Sequence, residues 1–294
     1  MRIEILEHHR RPPSAPVFMT RALLPSSGLR PNGEIPSIIA RWSGLQIEEG
    51  HLTRFRQATG QSDRAGISIL YPHVLGFRLQ MSVLTHRAFP LPIWKALQIR
   101  NRFLQHARIE AGGTFELETR LGPHRLVDKG AEIDLVSCLS SGSQCYWGST
   151  ITYFYRGRFD GKLAEASSRT ASPDVSSASV VDRFPMPRSG GWAFGRLTGD
   201  YNGIHTWSMY ARLLGFRAAF LHPQRAAESC LTRLRAPRSE AQTLDLWIKG
   251  PVFYGADVVL SAAREEDEIR FGLALAGDHR AAIVGAWRGD VDPD

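Results

Sequence analysis

The sequence predicts an α+β fold built twice, and three observations carry that prediction. Ala226, Ala227, Cys230, Leu231 and Leu234 recur at helical spacing, and four short β-prone runs follow them. Further upstream, Tyr71–Leu84 is a second apolar helical stretch followed by a second group of strand-like runs. Between the two, residues 160–179 are mostly small and polar without sustained periodicity, as in a linker. One helix set against several antiparallel strands is the arrangement that segregates helix from sheet. The expected division is therefore 1–159, a linker over 160–179, and 180–294.

In the first half, Tyr71–Leu84 reads as a helix buried on nearly every side. The segments Leu97–Ile109, Thr114–Leu121, His124–Leu139 and Gln144–Tyr155 read as strands. Alternation is clearest in Phe115-Glu116-Leu117-Glu118-Thr119-Arg120-Leu121. In the second half, Gly191–Gly199 leads into Asp200-Tyr201-Asn202-Gly203-Ile204-His205, and Ser208–Leu214 forms a short helix that Gly215 stops. Pro223 suits the first position of the longer helix that follows. Thr243–Lys249, Asp257–Ala263, Ile269–Leu275 and Ala281–Trp287 are the strands, separated by Gly, Pro or charged turns. Sequence identity between the halves is slight. Ala58-Thr59-Gly60 against Leu197-Thr198-Gly199 is the one tempting local match, so the duplication rests on element order.

Composition narrows the function classes. A chain of 294 residues with 43% hydrophobic side chains can bury a large core. The charged start Met-Arg-Ile-Glu-Ile-Leu-Glu-His-His-Arg-Arg and the lack of any stretch of about 20 apolar residues point away from a membrane and toward the cytoplasm. Cys138, Cys145 and Cys230 are odd in number and lack Cys-x-x-Cys spacing, which argues against a disulfide framework and a zinc site. The formal charge is +7, carried almost wholly by arginine, with lysine only at Lys95, Lys129, Lys162 and Lys249. Such a surface suits a phosphorylated ligand or an acidic carrier protein. Nucleic acid is the weaker partner, because the basic residues are dispersed among acidic ones with no basic arm or nucleic-acid motif.

The chemistry concentrates in Asp200-x-Asn202-x-x-His205. A carboxylate, an amide and an imidazole fall within six residues on a polar turn, and the first and last are common proton-transfer groups near neutral pH. The residues alone leave a structural account open: Asp200 as a helix cap, Asn202 as a turn residue and His205 as a satisfied core histidine.

The segment Leu-Thr-Gly-Asp-Tyr-Asn-Gly-Ile-His, with Tyr210-Ala211-Arg212-Leu213-Leu214-Gly215-Phe216 and Leu221-His222-Pro223 after it, resembles the MaoC-like dehydratases, also called R-specific or type 2 enoyl-CoA hydratases. Tyr71-Pro72-His73-Val74-Leu75-Gly76-Phe77 and Phe89-Pro90-Leu91-Pro92 extend the resemblance to the two-halved branch of that family. It implies a double hot-dog fold, two antiparallel sheets each wrapped around a central helix, with the motif in only one unit. The implied activity is reversible dehydration of (R)-3-hydroxyacyl thioesters, on CoA or an acyl carrier, in fatty-acid metabolism. No metal or redox cofactor is implied.

By the resemblance, Asp200 and His205 form the catalytic pair that Asn202 holds in place, with Asp200 taking the C2 proton and His205 protonating the leaving hydroxyl, or the reverse. Gly199, Ile204, His222, Gln224 and Arg225 are the expected substrate contacts. Trp192, Phe194 and Trp207 are candidates for an acyl tunnel. One double unit supplies the pairing that single hot dogs obtain by dimerising, so a monomer and a homodimer of doubles are both compatible.

Two departures from the family pattern matter. Gly203 stands where the family has proline, and Pro223 stands where it has the glycine whose N–H meets the thioester oxygen. The second departure keeps a different reading in play: a non-catalytic acyl-CoA or acyl-carrier-binding protein.

Overall fold

Strand pairing joins the two predicted halves into a single sheet. The computed structural model describes residues 3–29, 35–62, 66–159, 161–164, 167, 172–234, 236–237 and 239–289. In chain order the first half holds β1 (Ile3–His9), α1 (Ala15–Ala22), β2 (Ser37–Gln46), α2 (Glu49–Thr59), α3 (Tyr71–Leu84), β3 (Ala96–Gln105), β4 (Thr114–Val127), β5 (Gly130–Ser141) and β6 (Gln144–Arg156). The second holds β7 (Ser179–Pro185), α4 (Gly191–Thr198), α5 (Ser208–Leu213), α6 (Pro223–Leu231), β8 (Gln242–Ile248), β9 (Asp257–Glu265), β10 (Glu268–Leu275) and β11 (Ala281–Arg288).

The spatial order is β1-β2-β4-β5-β6-β3-β8-β11-β10-β9-β7. Read outward from the β3–β8 contact, β6-β5-β4-β2 on one side matches β11-β10-β9-β7 on the other, with antiparallel pairing throughout. The strand β1 adds to the outer edge in parallel with β2. The halves meet where Arg100 pairs with Trp247, continuing to Gln105 opposite Gln242. This is the double hot-dog that the resemblance implies.

The central helices follow from burial. Every residue of α3 except Arg78 is buried, in keeping with its largely apolar sequence, and the helix packs on β2, β4 and β5. Eight of the nine residues of α6 are buried too, with Ala226, Ala227 and Cys230 at 0% exposure. The largest side chains of the shared core include Trp147, Tyr71, Tyr155, Phe55 and Phe103. Trp147 is satisfied there by donating Nε1–H to Ile69 O at 2.8 Å.

The local match between the halves is structural. Both α2 and α4 end in a left-handed glycine, Gly60 (φ +77°) and Gly199 (φ +85°). Thr59 and Thr198 each donate a hydroxyl back four residues, to Phe55 O and Phe194 O. The two helices pack on each other, and His51 of α2 hydrogen-bonds Leu197 O through Nε2 at 3.1 Å.

Three differences from the sequence reading have simple causes. The run 124–139 is two strands, because the turn falls at Asp128-Lys129 and Gly122-Pro123 is absorbed as an irregularity within β4. The helix from Pro223 ends at Leu231 instead of reaching Leu234, and the predicted strand to Ile109 ends at Gln105. The segments β1, α1, β2, α2, β7 and α4 carry no sequence assignment; α2, for example, is mostly polar around Leu52 and Phe55. Within 160–179, residues 160, 165–166 and 168–171 lie outside the described residues. What is described bridges Leu163 to Leu126 and ends in β7 at Ser179. No helix among the described residues is long and apolar enough to cross a membrane.

Packing inside the second sheet gives a direct test. Gly285 faces Phe271 across the β10–β11 pair, and a Cβ built there would lie 2.1 Å from Phe271 Cζ. Phe271 is fully buried. Gly285→Ala is expected to lower the urea-unfolding free energy by about 1–3 kcal/mol through overpacking.

Candidate active site

The site is built on the end of α4. Gly191 and Gly195 lie one turn apart, and a Cβ on them would meet His205 O at 2.1 Å and Asp200 O at 2.7 Å. Their bare face lets the turn from Asp200 to His205 lie directly on the helix. Thr198 Oγ1 accepts from Asp200 N at 2.9 Å, and Gly199 supplies the left-handed bend. Asp200 Oδ1 then accepts from Asn202 N at 3.1 Å, and Asn202 Oδ1 accepts from Ile204 N at 3.2 Å, capping a short 3-10 turn over Gly203–His205. A Cβ at Gly203 would sit 2.7 Å from the Tyr210 ring, which packs directly on this turn.

The structural and chemical readings of Asp200 therefore divide between its two oxygens. Oδ1 holds the turn. Oδ2 lies 3.7 Å from His205 Nε2 and 3.8 Å from His222 Nε2. His205 is 5% exposed, and its Nδ1 lies 3.0 Å from Phe220 O. A carbonyl only accepts, so Nδ1 carries the proton and Nε2 presents a lone pair. Burial lowers the His205 pKa from its usual value, with Asp200 and the Phe220 carbonyl opposing the shift, which keeps the ring neutral at neutral pH.

Behind His205, the His222 ring stacks at 3.9 Å between centroids and 25° between planes. His222 Nε2 donates to Asp200 O at 3.3 Å, and its Nδ1 is buried without a partner. Burial, then the neighbouring His205, push its pKa well below the usual value.

Donor atoms of Asp200, His205 and His222 lie within 4.8 Å of one another, close enough to raise the question of a metal. The arrangement does not fit one. An ion must lie near the plane of each imidazole that binds it, and two rings stacked within 25° direct their lone pairs side by side. His222 Nε2 is in addition already spent as a donor.

A cavity of about 430 Å³ opens onto this turn. Of the residues expected at the site, Gly199, Asp200, Asn202, Ile204, His205 and Gln224 line it; His222 and Arg225 do not. Arg225 is turned away, donating Nε–H to Ala58 O at 2.9 Å and Nη1–H to Ser189 O at 3.0 Å, so it ties the two halves together. Nor do Trp192, Phe194 and Trp207 form the tunnel. The two tryptophans are more than half exposed, and Phe194 is buried against His222.

Both halves supply the apolar wall; from the first come Phe18 and Met19 of α1, Leu23 just after it, Phe77 and Met81 of α3, and Ile93, Trp94, Ala96 and Leu97. Gln98 and Tyr153 also reach the cavity from that half. Strand periodicity hides Gln98. Asn101 and Phe103 face inward, which would send residue 98 outward, but a register shift between Gln98 and Arg100 restores it to the inner face opposite Tyr153.

No family model matches the chain. Among curated proteins it is similar to 3-hydroxyacyl-thioester dehydratase X of Mycobacterium tuberculosis, 23% identical over 230 residues, which span 78% of this chain and 81% of that one. Among solved structures, HtdX of Mycobacterium tuberculosis superposes with a TM-score of 0.71 at 20% identity, covering 85% of this chain and 99% of the other. A MaoC-like dehydratase from Phytophthora capsici gives 0.71 at 16% identity over 88% and 96%. A third structure, a Mycobacterium tuberculosis protein described as having a double hot-dog fold, gives 0.53 at 13% identity over 86% and 92%. These likenesses establish the double hot-dog fold.

The buried imidazoles set an acid limit on stability. His205 and His222 have folded-state pKa values below that of the unfolded chain, so between neutral pH and about 5 the unfolded state binds protons that the folded state refuses. Each such group makes folding less favourable by up to about 1.4 kcal/mol per pH unit once the pH is below about 6.5. The unfolding free energy is expected to fall from pH 7 to pH 5, with a shallower slope in His222→Asn, as measured by urea titration at each pH.

Proposed function

We propose that the protein reversibly dehydrates (R)-3-hydroxyacyl thioesters to trans-2-enoyl thioesters. The observation that carries this reading is the pairing of Asp200 Oδ2 with an unprotonated His205 Nε2, 3.7 Å apart, at the wall of a largely apolar cavity. The named activity of 3-hydroxyacyl-thioester dehydratase X, and the family motif around these residues, support it.

The tautomer of His205 constrains the proton path. Elimination breaks the C2–H bond, forms C2=C3 and expels the C3 hydroxyl as water. The imidazole begins with no proton on Nε2 and has none to give before one is taken. The Asp200–His205 pair therefore accepts the C2 proton first and returns it to the departing oxygen; hydration runs the same proton backward. The Asp200 carboxylate stabilises the imidazolium while it exists, and Asn202 fixes the turn that spaces the two groups. No step calls for a metal or redox cofactor.

The apolar lining suits an acyl chain, and the net charge of +7 suits the phosphate of CoA or an acidic carrier protein. The three free cysteines fit a reducing, cytoplasmic setting. A second reading is favoured by one observation. Pro223 offers no N–H at the start of α6, so a protein that binds acyl thioesters without turning them over accounts for the loss of the usual carbonyl donor.

Hydration of a trans-2-enoyl thioester separates the two. Asp200→Asn and His205→Gln are each expected to lower kcat by about 10²–10⁴-fold while the proteins remain folded. Wild-type kcat/KM is expected to fall on acidification through a pKa below 6.5, as His205 Nε2 becomes occupied, and that limb should vanish in His205→Gln. Tight binding without turnover by the wild type would establish the second reading instead.

A further inference from the structure

The dehydratase reading leaves one requirement unmet: a donor for the thioester oxygen as negative charge gathers on it. Pro223 occupies the first position of α6, and Arg225 N donates to His222 O at 3.0 Å. Between them, the Gln224 N–H has no hydrogen-bond partner among the described residues. The Gln224 side chain also lines the cavity, and it is held by the other half of the molecule. Its Nε2 donates to Gln98 Oε1 at 2.8 Å, and the same oxygen accepts from Asn101 Nδ2 at 3.4 Å.

The bonds continue inward in one direction. Gln98 Nε2 donates to Tyr153 Oη at 3.0 Å, Tyr153 Oη donates to Gln80 Oε1 at 3.1 Å, and Gln80 Nε2 donates to His73 Nδ1 at 3.2 Å. With His73 Nδ1 as the acceptor at its end, this order sets which end of each amide is nitrogen. Gln98 must present oxygen to Gln224, so Gln224 must present nitrogen, and an amide nitrogen has a second N–H to give. The register shift that turns Gln98 inward is what allows the chain to reach the cavity.

We propose that Gln224 replaces the donor lost at Pro223: its side-chain Nε2–H, with its own backbone N–H, receives the thioester oxygen, and Gln98 of the non-catalytic half is the positioning residue that aims it. The inference rests on the dehydratase reading, but its spectroscopic test does not need turnover.

Gln224→Leu keeps the size and the backbone N–H while removing the side-chain donor. It is expected to lower kcat for enoyl-thioester hydration by about 10²-fold or more, with KM changed less than threefold. Gln98→Leu should fall in the same direction. Gln98→Glu, which still offers an acceptor to Gln224 Nε2, should recover at least tenfold over Gln98→Leu; equal loss in both overturns the positioning role.

Isotope-edited infrared spectroscopy reads the carbonyl directly. A trans-2-butenoyl-CoA labelled at the thioester carbonyl, bound to His205→Gln, should show its C=O band below the frequency in water. Adding Gln224→Leu should move that band back. An unchanged band in the double variant overturns the proposal. If the wild type binds the thioester without hydrating it while the band still depends on Gln224, the dehydratase reading falls and the donor stands. Failure of the thioester to bind at all removes both.

Discussion

The pairing of β3 with β8 is the constraint on which the rest of the molecule depends. Each half ends in a sheet edge with a row of unpaired backbone groups, and the register from Arg100 opposite Trp247 to Gln105 opposite Gln242 satisfies one edge with the other. The same pairing brings α1, α3 and the start of β3 in the first half against the turn from Asp200 to His205 in the second, and the cavity is lined by both halves. Contacts elsewhere reinforce it. Arg225 reaches Ala58 O, Ser68 donates to the buried Glu228, and His51 bonds Leu197 O. The Ser68 contact is not enough to make Glu228 an ordinary surface acid, since burial raises its pKa to about 7.

Duplication leaves two nearly equivalent helix starts, and burial distinguishes them. Leu70-Tyr71-Pro72-His73 and Leu221-His222-Pro223-Gln224 occupy matching places in the repeated order. At the first, α3 is long and buried on almost every side, and His73 is enclosed so fully that its pKa falls to about 3. A neutral, walled-in imidazole can accept a hydrogen bond from Gln80 but cannot cycle a proton with solvent or substrate. At the second, α6 is shorter, and the segment before it, from Gly199 to His205, lies at a cavity wall.

How much of this could be read from the sequence depends on the length scale of each signal. The helix over Tyr71–Leu84 is legible to the residue because its predominantly apolar sequence suits a buried setting, and the last four strands of the second half are legible because turn residues bracket each one. Asp200 and His205 are legible through their spacing. The part of the cavity wall that comes from α1, α3 and β3 is not, because those side chains are far from the motif in sequence and unremarkable in composition. Gln98 is the sharpest case. Its inward orientation depends on a register shift that period-two reasoning cannot foresee, and without that shift it would be one more polar residue on the outer face. Arg225 fails in the opposite sense: its charge and position beside the motif suggest substrate, while its hydrogen bonds are spent on two backbone carbonyls.

The buried polar chain from His73 to Gln224 is costly unless every member is paired, and a core selected only for stability would favour apolar side chains in its place. Its direction gives the chain a use. His73 Nδ1 is the terminal acceptor, and each link toward the cavity donates inward, so the N–H groups left over accumulate at the Gln98 and Gln224 end. The turn from Asp200 to His205 shows the complementary economy. Asp200 Oδ1 and His205 Nδ1 are consumed by the backbone, which leaves Oδ2 and the Nε2 lone pair as acceptors. One wall of the cavity therefore offers proton acceptors and the other offers N–H donors. That is the polarity an elimination beside a carbonyl needs: a proton withdrawn at C2 on one side and charge received at oxygen on the other.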